Sequence, residues 1–239
     1  SMAKKLWYSD PSPADPYEAL IPRLQRFLSS PYVEYIGKVD VEDWLTPKPK
    51  IRDPLVLDPC MFTLFIESNG CRDYAERVKK FICEKVLPAT PAMIGVDHSM
   101  SGGVIKALSE ALGRDDLLVI FVDSHLDAIP SSIRNDLVGW ARETNIQDLE
   151  VNPYEYTYFP YGRKDSYDCG SFLYYLLAEG TVRPENIAVL GVSDSPNPRL
   201  KTINDPRVQR FIATYHRIKD LGVRIYTKEM IYEEGAYSC

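Results

Sequence analysis

Two apolar runs, each emptying into a short cluster of acids and a histidine, constrain this chain more than any other feature. Ala92-Met93-Ile94-Gly95-Val96 leads into Asp97-His98-Ser99, and Leu117 to Val122 leads into Asp123-Ser124-His125-Leu126-Asp127. Both runs have the length and β-branched content of fully buried strands. Between them Ser101 to Gly113 predicts a helix, with Val104, Ile105, Leu108, Ala111 and Leu112 on one face and Gly113 closing it. Strand, helix and strand in this length make a parallel crossover unit. Neighbouring strands at 92–96 and 117–122 then deliver both clusters to the same carboxyl edge of one sheet.

The clusters carry chemistry. The chain holds 3 histidines, and two of them, His98 and His125, lie here; the third, His216, falls in a helical stretch among Arg210, Arg217 and Lys219 and is expected to take no part. In an extended segment Asp123, His125 and Asp127 are two apart and share a face. Together with His98 they form a nitrogen and oxygen ligand set that suits borderline-to-hard divalent ions, manganese among them. Singly, each has a plainer reading, since an aspartate after a strand caps the following helix. The plain reading does not explain four such residues at one edge.

The remainder alternates in the same way. Tyr17 to Ser29 is amphipathic, Val33 to Val39 predicts a short strand, and Arg72 to Leu87 is a helix stopped by Pro88. Further helices are expected at 135–144, 171–180, 208–221 and 228–234, with buried strands at 187–192 and 223–226. The pattern predicts an α/β fold, a three-layer α-β-α sandwich with a mostly parallel sheet, in a single domain over 1–239. Residues 151–170 are rich in tyrosine, including Tyr154, Tyr156, Tyr158, Tyr161 and Tyr167. They predict either a wall of a substrate pocket or rings packed on the scaffold or a neighbouring subunit.

Specific motifs now come into view. Gly95-Val96-Asp97-His98-Ser99 resembles the Gly-Gly-Asp-His-Ser motif of the ureohydrolases, the arginase and agmatinase family. Asp123-Ser124-His125-Leu126-Asp127 is similar to its Asp-Ala-His-x-Asp motif, and Leu190-Gly191-Val192-Ser193-Asp194 to its Ile-Gly-x-Arg-Asp strand end. The resemblance implies an arginase-like fold and a two-manganese hydrolase that cleaves a guanidino or amidine C–N bond and releases urea. Carried over, His98, Asp123 and Asp127 would hold one metal, and His125 with a shared Asp123 the second. Asp127 is the catalytic candidate, and Asp194 matches a position that contacts the substrate's amino end; its plainer role is a loop cap.

The chain also departs from the family. Cys169-Gly170 stands where the family has His-Gly, and Ser193 replaces the arginine of the strand-end motif. Cys169 is then either an inert thiol or one with a role of its own. The family's later Asp-x-Asp metal motif has no counterpart, because no aspartate follows Asp220. The expectation is a chain incomplete at its C-terminus, or a shortened relative, holding one metal or none by itself and hydrolysing little or nothing alone. A second chain completing the fold would restore both metals. Two other readings stay open: a metal-binding or regulatory scaffold that has lost catalysis, and a deacylase of related fold.

Composition narrows the partners. A net charge of −6 and a pI near 5.2 argue against nucleic acid or an anionic membrane as a general partner. The small cationic guanidino-type substrate is what the resemblance implies, and the neighbouring carboxylates of the two motifs suit it. No apolar stretch approaches the roughly 20 residues that span a bilayer. The 5 cysteines are odd in number and scattered, as in a reduced, cytoplasmic protein. Ser1 ahead of Met2 reads as a cloning remnant, and a homo-oligomer is expected from the family.

Overall fold

The computed structural model describes residues 28–41, 64–95, 97–144 and 165–235, with positions 22, 24 and 25. Much of the tyrosine-rich segment, including Tyr154, Tyr156, Tyr158 and Tyr161, lies outside the described residues, as does most of the expected helix at 17–29.

Among the described residues the chain alternates helix and strand. Helix α1 (Gly70–Phe81) runs into a π-turn over Ile82–Val86, and α2 (Ser101–Leu112) follows. Strand β1 (Val119–Val122), α3 (Ser131–Glu143), α4 (Phe172–Ala178) and β2 (Ile187–Val192) come next. The chain continues through α5 (Pro206–Asp220), β3 (Arg224–Thr227) and α6 (Lys228–Glu234). The three strands form one parallel sheet in the order β1-β2-β3, with Val119 opposite Ile187 and Val189 opposite Ile225. Parallel neighbours need long crossovers, and α3 with α4, then α5, supply them.

One face of the sheet is buried. Phe121, Val189 and Ile225 join Ile105 of α2, Phe172 and Leu176 of α4 and Phe211, Ile212 and Tyr215 of α5 in a single core. Helices α1 and α2 lie so close that a Cβ on Gly103 would sit 2.1 Å from the Ala75 carbonyl oxygen. On the other face Leu118, Ile120, Ala188, Leu190 and Tyr226 line a groove closed on one side by Ile231 of α6. No helix among the described residues is long and apolar enough to cross a membrane.

Two expected strands do not form. Residues 91–95 make no ladder, Val96 lies outside the described residues, and β1 takes β2 rather than 92–96 as its neighbour. Met93 and Ile94 are 40% and 50% exposed, so this run lacks the two-sided burial that makes an apolar pentapeptide a central strand. Residues 33–39 are extended but form no strand among the described residues, with Tyr35 and Ile36 exposed. The expected strand pairing between the two clusters is therefore absent among the described residues, and His98 reaches the carboxyl edge of β1 through contacts with residues distant in sequence.

Candidate metal centre

The carboxyl ends of β1 and β2 build the site together. The Asp123 amide donates to the Leu190 carbonyl at 3.0 Å, extending the ladder one residue past β1. Gly191 has φ 97°, and a Cβ there would lie 3.2 Å from the Asp123 carbonyl oxygen. A side chain at 191 would push the two strand ends apart. Beyond them, the Ser193 amide donates to the Ser124 carbonyl at 2.9 Å, and the Leu173 amide of α4 donates to the Asp127 carbonyl at 3.0 Å. Asp127 is held at φ 52°, a left-handed conformation that aspartate tolerates and that is enriched at functional sites.

His98 arrives from the opposite side. It opens a one-turn 3-10 helix, His98–Met100, that continues into α2. Asp97 caps this turn, its carboxylate accepting from the Ser99 amide at 2.9 Å and from the Ser99 hydroxyl. The His98 ring packs on Phe172 and Phe121, with ring centroids 4.8 Å and 5.7 Å away.

His98, Asp123 and Asp127 thereby converge. The His98 Nδ1 lies 2.8 Å from Asp127 Oδ2 and 3.1 Å from Asp123 Oδ2. Their three donor atoms fall within 4.8 Å of one another. The hydrogen bond to Asp127 raises the His98 pKa against the opposing effect of burial. Two carboxylates directed at one imidazole nitrogen form a charge arrangement that a divalent cation relieves, and the donors suit such an ion. His125 is not in this trio. It is 65% exposed at its side chain, and its Nδ1 lies 3.5 Å from the other Asp123 oxygen, Oδ1. Asp123 thus faces a different histidine with each oxygen.

Asp194 approaches from the end of β2. Its Oδ2 accepts from the Leu126 amide at 3.4 Å, and its Oδ1 is buried with no hydrogen-bond partner among the described residues. Burial raises its pKa above the ordinary 3.8. A buried carboxyl of this kind costs stability once it ionises: the cost is absent below the unfolded pKa and grows as pH rises through the folded one. Asp194→Asn is therefore expected to melt at a higher temperature than wild type at neutral pH. The gain should fade in acid, and melting curves across that range check it.

The remaining candidates are placed plainly. His216 is exposed on α5, edge-on to the Tyr215 ring. Cys169 is exposed, yet the protein packed around it, then the Asp97 and Asp168 carboxylates, hold its thiol above the ordinary value, so at neutral pH it is the weakly nucleophilic thiol. Sequence reasoning missed Phe121 and Phe172 as supports of His98. It singled out Tyr167 only within the tyrosine-rich segment, where neither burial nor partner was readable.

Comparison with known proteins agrees with this architecture. The model of the Arginase family matches residues 33–237. Among solved structures, proclavaminate amidino hydrolase from Streptomyces clavuligerus is similar at 19% identity, over 70% of this chain and 40% of that one, with a TM-score of 0.41. This chain thus spans less than half the length of that structure. No curated protein matches. The family match covers most of the sequence and fits the parallel sheet flanked by helices: the chain belongs to the arginase family, with its α/β fold.

Proposed function

We propose that this protein is a metal-dependent hydrolase of a guanidino or linear amidine C–N bond, with manganese as its metal and urea as the product from a guanidino substrate. The observation that carries this reading is the convergence of His98, Asp123 and Asp127 on one point, with Asp123 turned by its second oxygen toward His125. His98, Asp123 and Asp127 would hold one cation; Asp123 and His125 would hold a weaker second. When bound, such ions supply Lewis acidity and a water nucleophile near neutral pH. The chain's own residues do the rest. Asp127 would take up a proton at the reacting centre, and Asp194, held at the end of β2 by the Leu126 amide, is the candidate for the substrate's amino end.

The test is manganese titration by calorimetry, followed by urea release from a panel of guanidino compounds. One tightly held cation per chain is expected, and any urea release should be lost on chelation. Failure to bind any divalent cation would overturn the reading.

A further inference from the structure

The carboxylates of the site follow strand ends, but His98 is carried by a short turn with no strand behind it among the described residues. What holds that turn is the segment 166–173. Tyr167 is buried, and its hydroxyl donates to the Ser99 carbonyl at 2.6 Å, next to His98 in the chain. A Cβ on Gly102 would lie 2.0 Å from that hydroxyl oxygen, so the close approach depends on a glycine there. Five residues on, the Phe172 ring lies against His98, and the Leu173 amide holds the Asp127 carbonyl. The segment is itself pinned: the Ser171 hydroxyl donates to the Ser166 carbonyl at 2.8 Å, and the Asp168 amide donates to Ser171 Oγ at 3.1 Å. One rigid stretch therefore grips both members of the 2.8 Å His98–Asp127 pair.

We propose that Tyr167, acting through the Ser99 carbonyl and together with Phe172, is a positioning residue that sets the His98 imidazole against Asp127 for a divalent cation. The inference rests on the metal-centre reading above. Tyr167 touches neither substrate nor metal; its hydroxyl fixes where the turn starts. Groups hydrogen-bonded directly to metal ligands typically carry about 10- to 100-fold in metal affinity, and Tyr167, acting one residue further out, belongs at the lower end. A purely structural role would reside in the buried ring, which phenylalanine keeps.

The experiment compares Mn2+ affinity by calorimetry in wild type, Tyr167→Phe and Glu179→Gln. Glu179 pairs with Arg72, whose guanidinium lies over the Tyr167 and Tyr175 rings, and with Lys106 in the middle of α2, so its loss disturbs the same cluster while leaving the Tyr167–Ser99 hydrogen bond in place. Tyr167→Phe is expected to bind Mn2+ about tenfold more weakly, with native circular dichroism, while Glu179→Gln keeps wild-type affinity. Equal affinity in wild type and Tyr167→Phe overturns the inference and leaves the metal centre standing. Equal weakening in both variants also overturns it, since the effect would then be general. Wild type binding no Mn2+ overturns the metal-centre reading and the inference with it. Should Tyr167→Phe fail to fold, Phe172→Leu carries the test through the other contact to His98, and unchanged affinity there counts against the proposal.

Discussion

Asp123→Asn is expected to abolish tight Mn2+ binding and to lower hydrolysis by more than about 100-fold, since residues that merely orient metal ligands already cost 10- to 100-fold. Asp123 sits between the two histidines, 3.1 Å from His98 Nδ1 by one oxygen and 3.5 Å from His125 Nδ1 by the other. Asparagine keeps the shape but removes the charge and replaces one acceptor oxygen with a donor NH2 group. Two divalent cations side by side repel strongly, and a bridging carboxylate is what offsets that. Without metal, the same substitution removes one of two acids crowding a single imidazole, so the fold should be no less stable than wild type. Calorimetric titration and urea release measure the loss, and thermal melting of the metal-free proteins measures the stability. Retained Mn2+ affinity would show that Asp123 is not a ligand.

Phe172→Ala is expected to destabilise the protein by about 3–5 kcal/mol, the usual cost of emptying a buried phenylalanine site. The side chain is fully buried at the start of α4, 5.8 Å from the Phe121 ring and 4.8 Å from His98 between centroids. Its removal leaves a hole where the sheet, α4 and the metal centre meet. In a domain of this size the loss corresponds to a fall in Tm on the order of 10 °C. Urea denaturation with and without saturating Mn2+ checks it. Metal should recover part of the loss, because an ion bound by the native state stabilises it in proportion to its affinity. A midpoint equal to wild type would mean that this ring is not a structural centre of the fold.

The carboxylate half of the site was legible for a local reason. Asp123, His125 and Asp127 follow directly on an apolar run, and the chain direction at a strand end is set by the strand itself. The same logic placed Asp194 at the end of β2. For 92–96 the logic failed. The run is apolar, but periodicity cannot tell whether so short a stretch will find a sheet edge, and here Met93 and Ile94 stay half exposed while β1 pairs with β2.

Helix positions were readable from local signals: Gly113, Gly180 and Gly222 all take positive φ beyond the helices they close, and Pro88 stands just past the end of the π-turn that follows α1. Chain-local chemistry, meaning residue spacing, apolar period and stop residues, thus determined the described helices, the strands β1 to β3, the family motifs and which acids lie at the sheet edge. The partner of β1, the 2.8 Å approach of His98 to Asp127, the outlying place of His125 and the grip of Tyr167 on the Ser99 carbonyl were decided by tertiary packing. Each depends on contact between residues distant in sequence, and no local pattern carries the distance between them.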